Sequence, residues 1–313
     1  MRHDGTAAGS RVKVVYVAGS GRSGSTVLAN ILGQHEGFFA VGELRYVWER
    51  GVLENCVCGC QRRFRDCPVW SQVVRRLLGD PGEAALRSLI RARDRALPPS
   101  RLPVAASPWG RPLLRRRAHG YLDVLARLYR TIVEVSGCRV LVDSSKSPTY
   151  GYLLQLVPGV DLHVVHLVRD ARAVAYSMRR PRVELATTAP ALSAYHWDAS
   201  NALAEALLRR ARYRSVRYDD FVARPQATVA AILGTLGEAP PGPSPFVGER
   251  AVALRPTHCI GGNPSRFVTG RVELRPDDEW RTRMRRVDRG VVELVCWPLL
   301  ARYGYLRRDR AAR

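Results

Sequence analysis

Lysine is nearly missing from this chain. Only Lys13 and Lys146 occur in 313 residues, so 48 of the 50 basic side chains are arginine. Asparagine and isoleucine are scarce as well, while alanine, arginine, valine, leucine and glycine abound, a bias expected of a GC-rich genome. The formal net charge of +22 therefore says less about a polyanionic partner than its size suggests. The basic residues are scattered through many segments instead of forming one block interleaved with aromatics, which argues against a specific nucleic-acid surface and leaves a small anionic ligand as the better match. Long apolar runs are also missing. The most apolar late stretch, Val291 to Leu300, carries Glu293 and Pro298, so no membrane span is expected. Met1 to Arg11 has no apolar signal core, and a cytoplasmic protein is expected. With 46% hydrophobic and 25% charged residues, the composition is globular, which excludes disordered and fibrous classes.

No internal repeat is present. Short valine-rich runs, each followed by a polar turn and a helical pattern, alternate along the chain: strands at Val12 to Ala18, Arg139 to Val142, Leu162 to Val168 and Ser215 to Arg217, and helices at Ser23 to Gln34, Ala171 to Met178, Ala194 to Arg212 and Gln226 to Leu236. Continuous apolar strands alternating with helices predict an α/β fold, a P-loop-like parallel sheet flanked by helices with a helical and loop insertion. Between Gly79 and Arg117 six prolines stand among arginines, which reads as an insertion or flap. One domain over residues 1–313 is expected, with 1–11 flexible and 79–117 as the insertion.

The first strand runs into Gly19-Ser-Gly-Arg-Ser-Gly-Ser-Thr26 and then a helix. A strand, a glycine-rich turn and a helix start aim backbone N–H groups at an anion. A nucleotide-triphosphate loop reads G-x-x-x-x-G-K-[ST]; here Gly19 and Gly24 have that spacing, but the lysine position is Ser25. That lysine serves the β and γ phosphates, so its loss argues against ATP or GTP. The cation sits inside the loop instead, as Arg22.

Gly-x-x-Arg-Ser-Gly-Ser-Thr after the first strand resembles the 5′-phosphosulfate loop of the sulfotransferases that use 3′-phosphoadenosine 5′-phosphosulfate (PAPS). Val165-His-Leu-Val-Arg-Asp-Ala-Arg-Ala-Val-Ala-Tyr-Ser177 resembles that family's 3′-phosphate segment, and Ser215-Val-Arg-Tyr-Asp-Asp-Phe221 its Arg-Tyr-Glu-Asp segment. The similarity extends to Val142-Asp-Ser-Ser-Lys-Ser-Pro148 and His258-Cys-Ile-Gly-Gly-Asn-Pro-Ser-Arg266. Five stations in family order span most of the chain. The branch it resembles has arginine in the loop and a glutamate base, as in tyrosylprotein and bacterial small-molecule sulfotransferases. The resemblance implies that Arg22 and the amides of Ser23, Gly24, Ser25 and Thr26 hold the 5′ phosphate and the departing oxygen, that Arg169 and Ser177 hold the 3′ phosphate, and that Tyr218, Asn263 and Arg266 lie along the nucleotide. Lys146, in Lys-x-Pro after a strand, resembles the family's second cation on the sulfate, and a compact ammonium suits a tight site. No metal is assigned.

A base must take the proton of the acceptor hydroxyl. His35 and Glu36 follow the first helix, some 15 Å from its anion-binding start at about 1.5 Å per residue, too far to serve. Glu43 follows the apolar run Phe38 to Val41, which a right-handed crossover returns parallel to the first strand with its end at the same sheet edge as the loop. Val41-Gly-Glu-Leu44 also resembles the family's catalytic glutamate position, and Glu43 is the expected base. His258 is open between a contact to sulfate or acceptor and a structural hydrogen bond. Asp143 has a competing reading, the acidic strand end that holds Mg²⁺ in P-loop kinases.

Four of the seven cysteines are packed as Cys56, Cys58, Cys60 and Cys67. C-x-C-x-C departs from the usual zinc-knuckle spacing and no histidine is near in sequence, so a metal site stays a less favoured alternative and free thiols are the default in a cytoplasmic chain, with a local disulfide from Cys67 to one of the other three as a further alternative.

These readings converge on transfer of a sulfuryl group from PAPS to a hydroxyl of a small-molecule or glycoconjugate acceptor, with a P-loop kinase and a basic nucleic-acid-binding protein as rivals. Adenosine 3′,5′-bisphosphate is expected to raise the melting temperature without added metal, and ATP with Mg²⁺ to raise it far less at equal concentration; equal shifts in a thermal scan would remove the 3′-phosphate assignment.

Overall fold

A computed structural model describes residues 11–180, 187–238 and 242–306. Five strands, β1 (Val12–Ala18), β2 (Phe38–Gly42), β3 (Val140–Lys146), β4 (Val160–Val168) and β5 (Arg212–Arg217), form one parallel sheet in the order β2-β3-β1-β4-β5. A separate antiparallel pair joins β6 (Ala251–Leu254) to β7 (Gly270–Glu273). The helices are α1 (Ser25–Leu32), α2 (Trp70–Leu78), α3 (Glu83–Ala96), α4 (Leu102–Ala106), α5 (Gly110–Ser136), α6 (Pro148–Leu154), α7 (Ala171–Arg179), α8 (Pro190–Leu208), α9 (Tyr218–Ala223), α10 (Pro225–Thr235), α11 (Trp280–Arg283) and α12 (Arg286–Arg302).

The sheet is covered on both faces, which is why its strands are continuously apolar. In β1, Val14, Tyr16 and Ala18 enter a core shared with α5, α6 and α8, while Val15 and Val17 enter one shared with α1 and α10. The chain leaves β1 through α1 to one edge strand, β2, and later crosses to β4 on the other side. Ligands of open parallel sheets bind at such a reversal, outside the carboxyl ends of the strands.

The expected elements are present with shifted ends. β3 continues to Lys146 through Asp143, Ser144 and Ser145 because these polar side chains find partners inside. The Tyr129 hydroxyl donates to Asp143 Oδ2 at 2.5 Å, and Ser145 Oγ accepts from the Arg45 N–H at 3.0 Å. α8 stops at Leu208 because Arg212 to Arg214 pair with His163 to Val165 of β4. The proline-rich stretch folds into α3, α4 and the start of α5, and Leu86, Ala96, Ala105 and Leu114 join the main core. β2 is parallel to β1 as expected, with β3 between them. No described helix is long and apolar enough to cross a membrane.

Candidate active site

Beyond Ala18 the chain bends through residues that only tight sterics explain. Gly19 has φ 133°, and a Cβ there would lie 2.4 Å from the Leu167 carbonyl oxygen. Gly24 has φ 87°, and its Cβ would lie 2.8 Å from the Tyr218 ring, so the turn and the aromatic fit only with glycine. α1 starts directly after, and its first-turn N–H groups have no partners within the helix. Arg22 is itself left-handed at φ 64°, which costs a non-glycine residue on the order of 1–3 kcal/mol and is characteristic of functional loops.

The sheet edge brings two further segments to this loop. Arg169, one residue beyond β4, donates from Nη1 to the Arg22 carbonyl at 3.0 Å, and Arg22 Nε donates to Ser177 Oγ of α7 at 3.0 Å. The Arg169 guanidinium lies 4.6 Å from the centre of the Tyr218 ring and pairs with Asp277 at 2.9 Å. The Asn263 amide, turned with its oxygen toward Arg22, accepts from Nη2 at 3.2 Å.

Glu43 stands one residue beyond β2. Its N–H donates to the Ile260 carbonyl at 2.7 Å, and the Ile260 N–H donates to the Val41 carbonyl at 2.9 Å. The residue is 8% exposed, and its carboxylate accepts from Lys146 Nζ on one oxygen and from Arg50 Nη1, at 3.4 Å, on the other. Lys146 ends β3 in the left-handed region at φ 66°, and its carbonyl accepts from the Gly19 N–H at 3.3 Å. Both cations flanking the loop mouth, Arg22 and Lys146, thus occupy a conformation that non-glycine residues avoid.

These groups line one cavity of about 520 Å³. Of the residues singled out in the sequence, Arg22, Gly24, Ser25, Thr26, Glu43, Lys146, Arg169, Tyr218 and Asn263 line it. A second cavity of about 210 Å³ shares Arg169, Tyr218 and Asp277 with it. Ser177 reaches the site through Arg22, and Ser23 is buried with its hydroxyl unpartnered. Arg266 does not line the cavity: it is buried, donates to the Gly262 carbonyl at 3.0 Å and lies 4.2 Å from the Phe267 ring centre. His258 does not line this cavity: it stacks on Phe39 with Nδ1 3.1 Å from Cys67 Sγ, and of the two roles left open for it these contacts are those of a structural hydrogen-bonder. Arg50 and Asp277 were not singled out, since nothing in their spacing marks them: Arg50 reaches the site from the short helical segment Val47–Leu53 and Asp277 from the loop before α11.

Asp143, which had a competing reading as a metal ligand, does not line this cavity. The side chain is fully buried, away from the cavity, held by the Tyr129 hydroxyl and by the Ser145 N–H at 2.8 Å. Burial pushes its carboxyl up to about 6, against the lowering effect of those hydrogen bonds and of Lys146. Burial likewise raises the Tyr218 phenol, partly offset by the Arg169 charge.

The chain is similar to the sulfotransferase domain of the Synechococcus PCC 7002 olefin synthase (20% identity over 94% of this chain and 98% of that one, TM-score 0.48). It is also similar to the sulfotransferase domain from the curacin biosynthetic pathway (19%, 94% and 98%, TM-score 0.49) and to sulfotransferase STF1 from Mycobacterium tuberculosis H37Rv (19%, 74% and 68%, TM-score 0.42). No family model and no curated protein matches the sequence.

The raised Asp143 pKa carries a pH signature. An unfolded aspartate titrates near 4, whereas this folded one titrates at about 6, so between those values the folded chain holds the extra proton and stability falls as pH rises, levelling above the folded pKa. Asp143→Asn is expected to remove this fall. Chemical denaturation of both proteins from pH 4 to pH 7 checks it: the wild-type minus variant difference should shrink with pH, and parallel curves would refute the assignment.

Proposed function

We propose that this protein is a sulfotransferase moving the sulfuryl group of PAPS to a hydroxyl of a small-molecule or glycoconjugate acceptor. The observation that carries the reading is the Glu43–Lys146 pair: a carboxylate and an ammonium meet at the mouth of a phosphate-type loop whose own lysine position is serine. A kinase needs that loop lysine on a triphosphate. A sulfuryl donor carries less charge at the transferred group and is served by cations beside the loop.

In this mechanism the 5′ phosphosulfate sits against the N–H groups of Ser23, Gly24, Ser25 and Thr26 at the start of α1, with Arg22 beside it. The acceptor oxygen attacks sulfur in line with the leaving oxygen, forming the new S–O bond as the S–O bond to the 5′ phosphate breaks. Glu43 takes the acceptor proton. The electron pair of the broken bond stays on the nucleotide, where Arg22 and Lys146 offset the growing negative charge. Arg169 and Ser177 receive the 3′ phosphate, for which a planar guanidinium is well shaped, and Tyr218 lies along the adenosine. The Arg169–Asp277 pair opens when the 3′ phosphate arrives, exchanging one anion for another.

The test separates proton transfer from binding. Glu43→Gln keeps shape and removes basicity, so single-turnover rates with PAPS and any accepted hydroxyl compound should fall by about 10²- to 10⁴-fold. Calorimetric affinity for adenosine 3′,5′-bisphosphate should change little. An unchanged rate with chemistry rate-limiting would dismiss Glu43 as the base; collapse of nucleotide affinity would make it a structural partner of Lys146.

A further inference from the structure

The cysteine segment and the histidine excluded from the cavity meet each other. Cys58 Sγ lies 3.7 Å from Cys67 Sγ, and His258 Nδ1 lies 3.1 Å from Cys67 Sγ and 4.0 Å from Cys58 Sγ. With Cys60 Sγ the four ligand atoms all fall within 4.8 Å of one another. A tetrahedral zinc ion with Zn–S near 2.3 Å and Zn–N near 2.0 Å sets its sulfurs roughly 3.8 Å apart and sulfur from nitrogen roughly 3.6 Å apart, which is the scale of these separations. A disulfide would require about 2.05 Å between two of the sulfurs.

We propose that Cys58, Cys60, Cys67 and His258 bind a structural zinc ion. Three thiolates and an imidazole in a compact tetrahedral arrangement select zinc among the common metals, and four protein ligands leave no open coordination position.

The surrounding backbone is built to hold these ligands. The Cys58 N–H donates to the Arg62 carbonyl at 2.8 Å and the Gln61 N–H to the Cys58 carbonyl at 2.8 Å, closing a tight turn in which Gln61 takes φ 67°. Gly59 presses on the other ligand segment: a Cβ there would lie 2.6 Å from the Thr257 carbonyl, and its N–H donates to the Cys259 carbonyl at 3.0 Å. Trp70 Nε1 donates to the His258 carbonyl at 2.7 Å, and Phe39 stacks on the His258 ring at 5.8 Å. Outer contacts of this kind fix ring orientation at metal sites. Cys58 and Cys67 are buried and Cys60 and His258 half-buried, so the cluster is shielded.

The ion would join segments 191 residues apart. Two residues beyond His258 lies Ile260, which pairs with Val41 and Glu43. Zinc there is a rivet that fixes the strap under Glu43. The zinc proposal stands independently of the sulfotransferase reading, because it concerns metal content alone.

The test is the metal content of this chain of 313 residues, expressed with zinc in the medium and purified under reducing conditions. Mass spectrometry of the elements should give about one zinc per chain, as for a site whose binding is coupled to folding. Cobalt exchanged into the same protein should show the intense visible ligand-field bands and thiolate charge transfer of a tetrahedral sulfur-rich site. Cys67→Ser should lose the metal, Cys138→Ser, a buried cysteine elsewhere, should keep it, and His258→Cys should keep it with a cobalt spectrum shifted toward four thiolates. Folded wild-type protein that carries no zinc and gives no tetrahedral cobalt spectrum would overturn the proposal, as would an intact mass two hydrogens low, marking a disulfide. Metal retained undiminished in folded Cys67→Ser would overturn it too. The wild-type metal and cobalt measurements decide the matter even where a variant does not fold.

Discussion

Two backbone hydrogen bonds hold the candidate site together. The Ile260 N–H reaches the Val41 carbonyl and the Ile260 carbonyl takes the Glu43 N–H, so a segment from late in the chain is tied to the open edge of β2. Everything at the cavity mouth leans on that tie. It fixes the backbone of Glu43, places Gly261 and Gly262 against its side chain, and carries Asn263 to Thr26 and Arg22. β2 is an edge strand, and an uncovered edge is a liability; here the covering segment also completes the cavity wall.

Much of this could be read from residues in order. β1 was legible to both ends because a strand buried on both faces writes itself as a continuous apolar run, and the glycine loop was legible because its spacing is a local constraint. Glu43 could be placed at the loop edge from the parallel crossover alone, even though β3 separates β2 from β1. The continuation of β3 was not legible, because Asp143-Ser-Ser is polar and its burial depends on Tyr129, which arrives from α5. Asp277 left no trace because its partner, Arg169, is likewise distant in the chain. His258 is the sharpest case: no local spacing joins it to Cys58, Cys60 and Cys67, and only the strap along β2 does so. Local rules found the elements and the loop, whereas contacts made by the third dimension were missed wherever a polar side chain had a distant partner.

The cations at the cavity illustrate how the charge is organised. Arg169 is paired with Asp277, Lys146 with Glu43, and, outside the cavity, the buried Arg172 of α7 with Asp170 and Glu293. Placing so many arginines near one edge of a sheet is tolerable only because carboxylates and carbonyls meet them. These ion pairs distribute the carboxylates among the arginines but leave the net +22 as it is, since that figure already subtracts all 28 acidic residues.

If the chain is the sulfotransferase proposed above, Asp277 has a further consequence for turnover. Tethered by the chain beside Arg169, it acts as a resident competitor with a high effective concentration, so any external anion is bound at a discount equal to the stability of that pair. On the sulfotransferase reading the discount applies equally to the donor and to the spent nucleotide, since both carry the 3′ phosphate, and it leaves the chemical step untouched. What it changes is residence time: the carboxylate is already in place to recapture the guanidinium as the product lifts away, and the enzyme is spared the slow release that an uncontested arginine would impose.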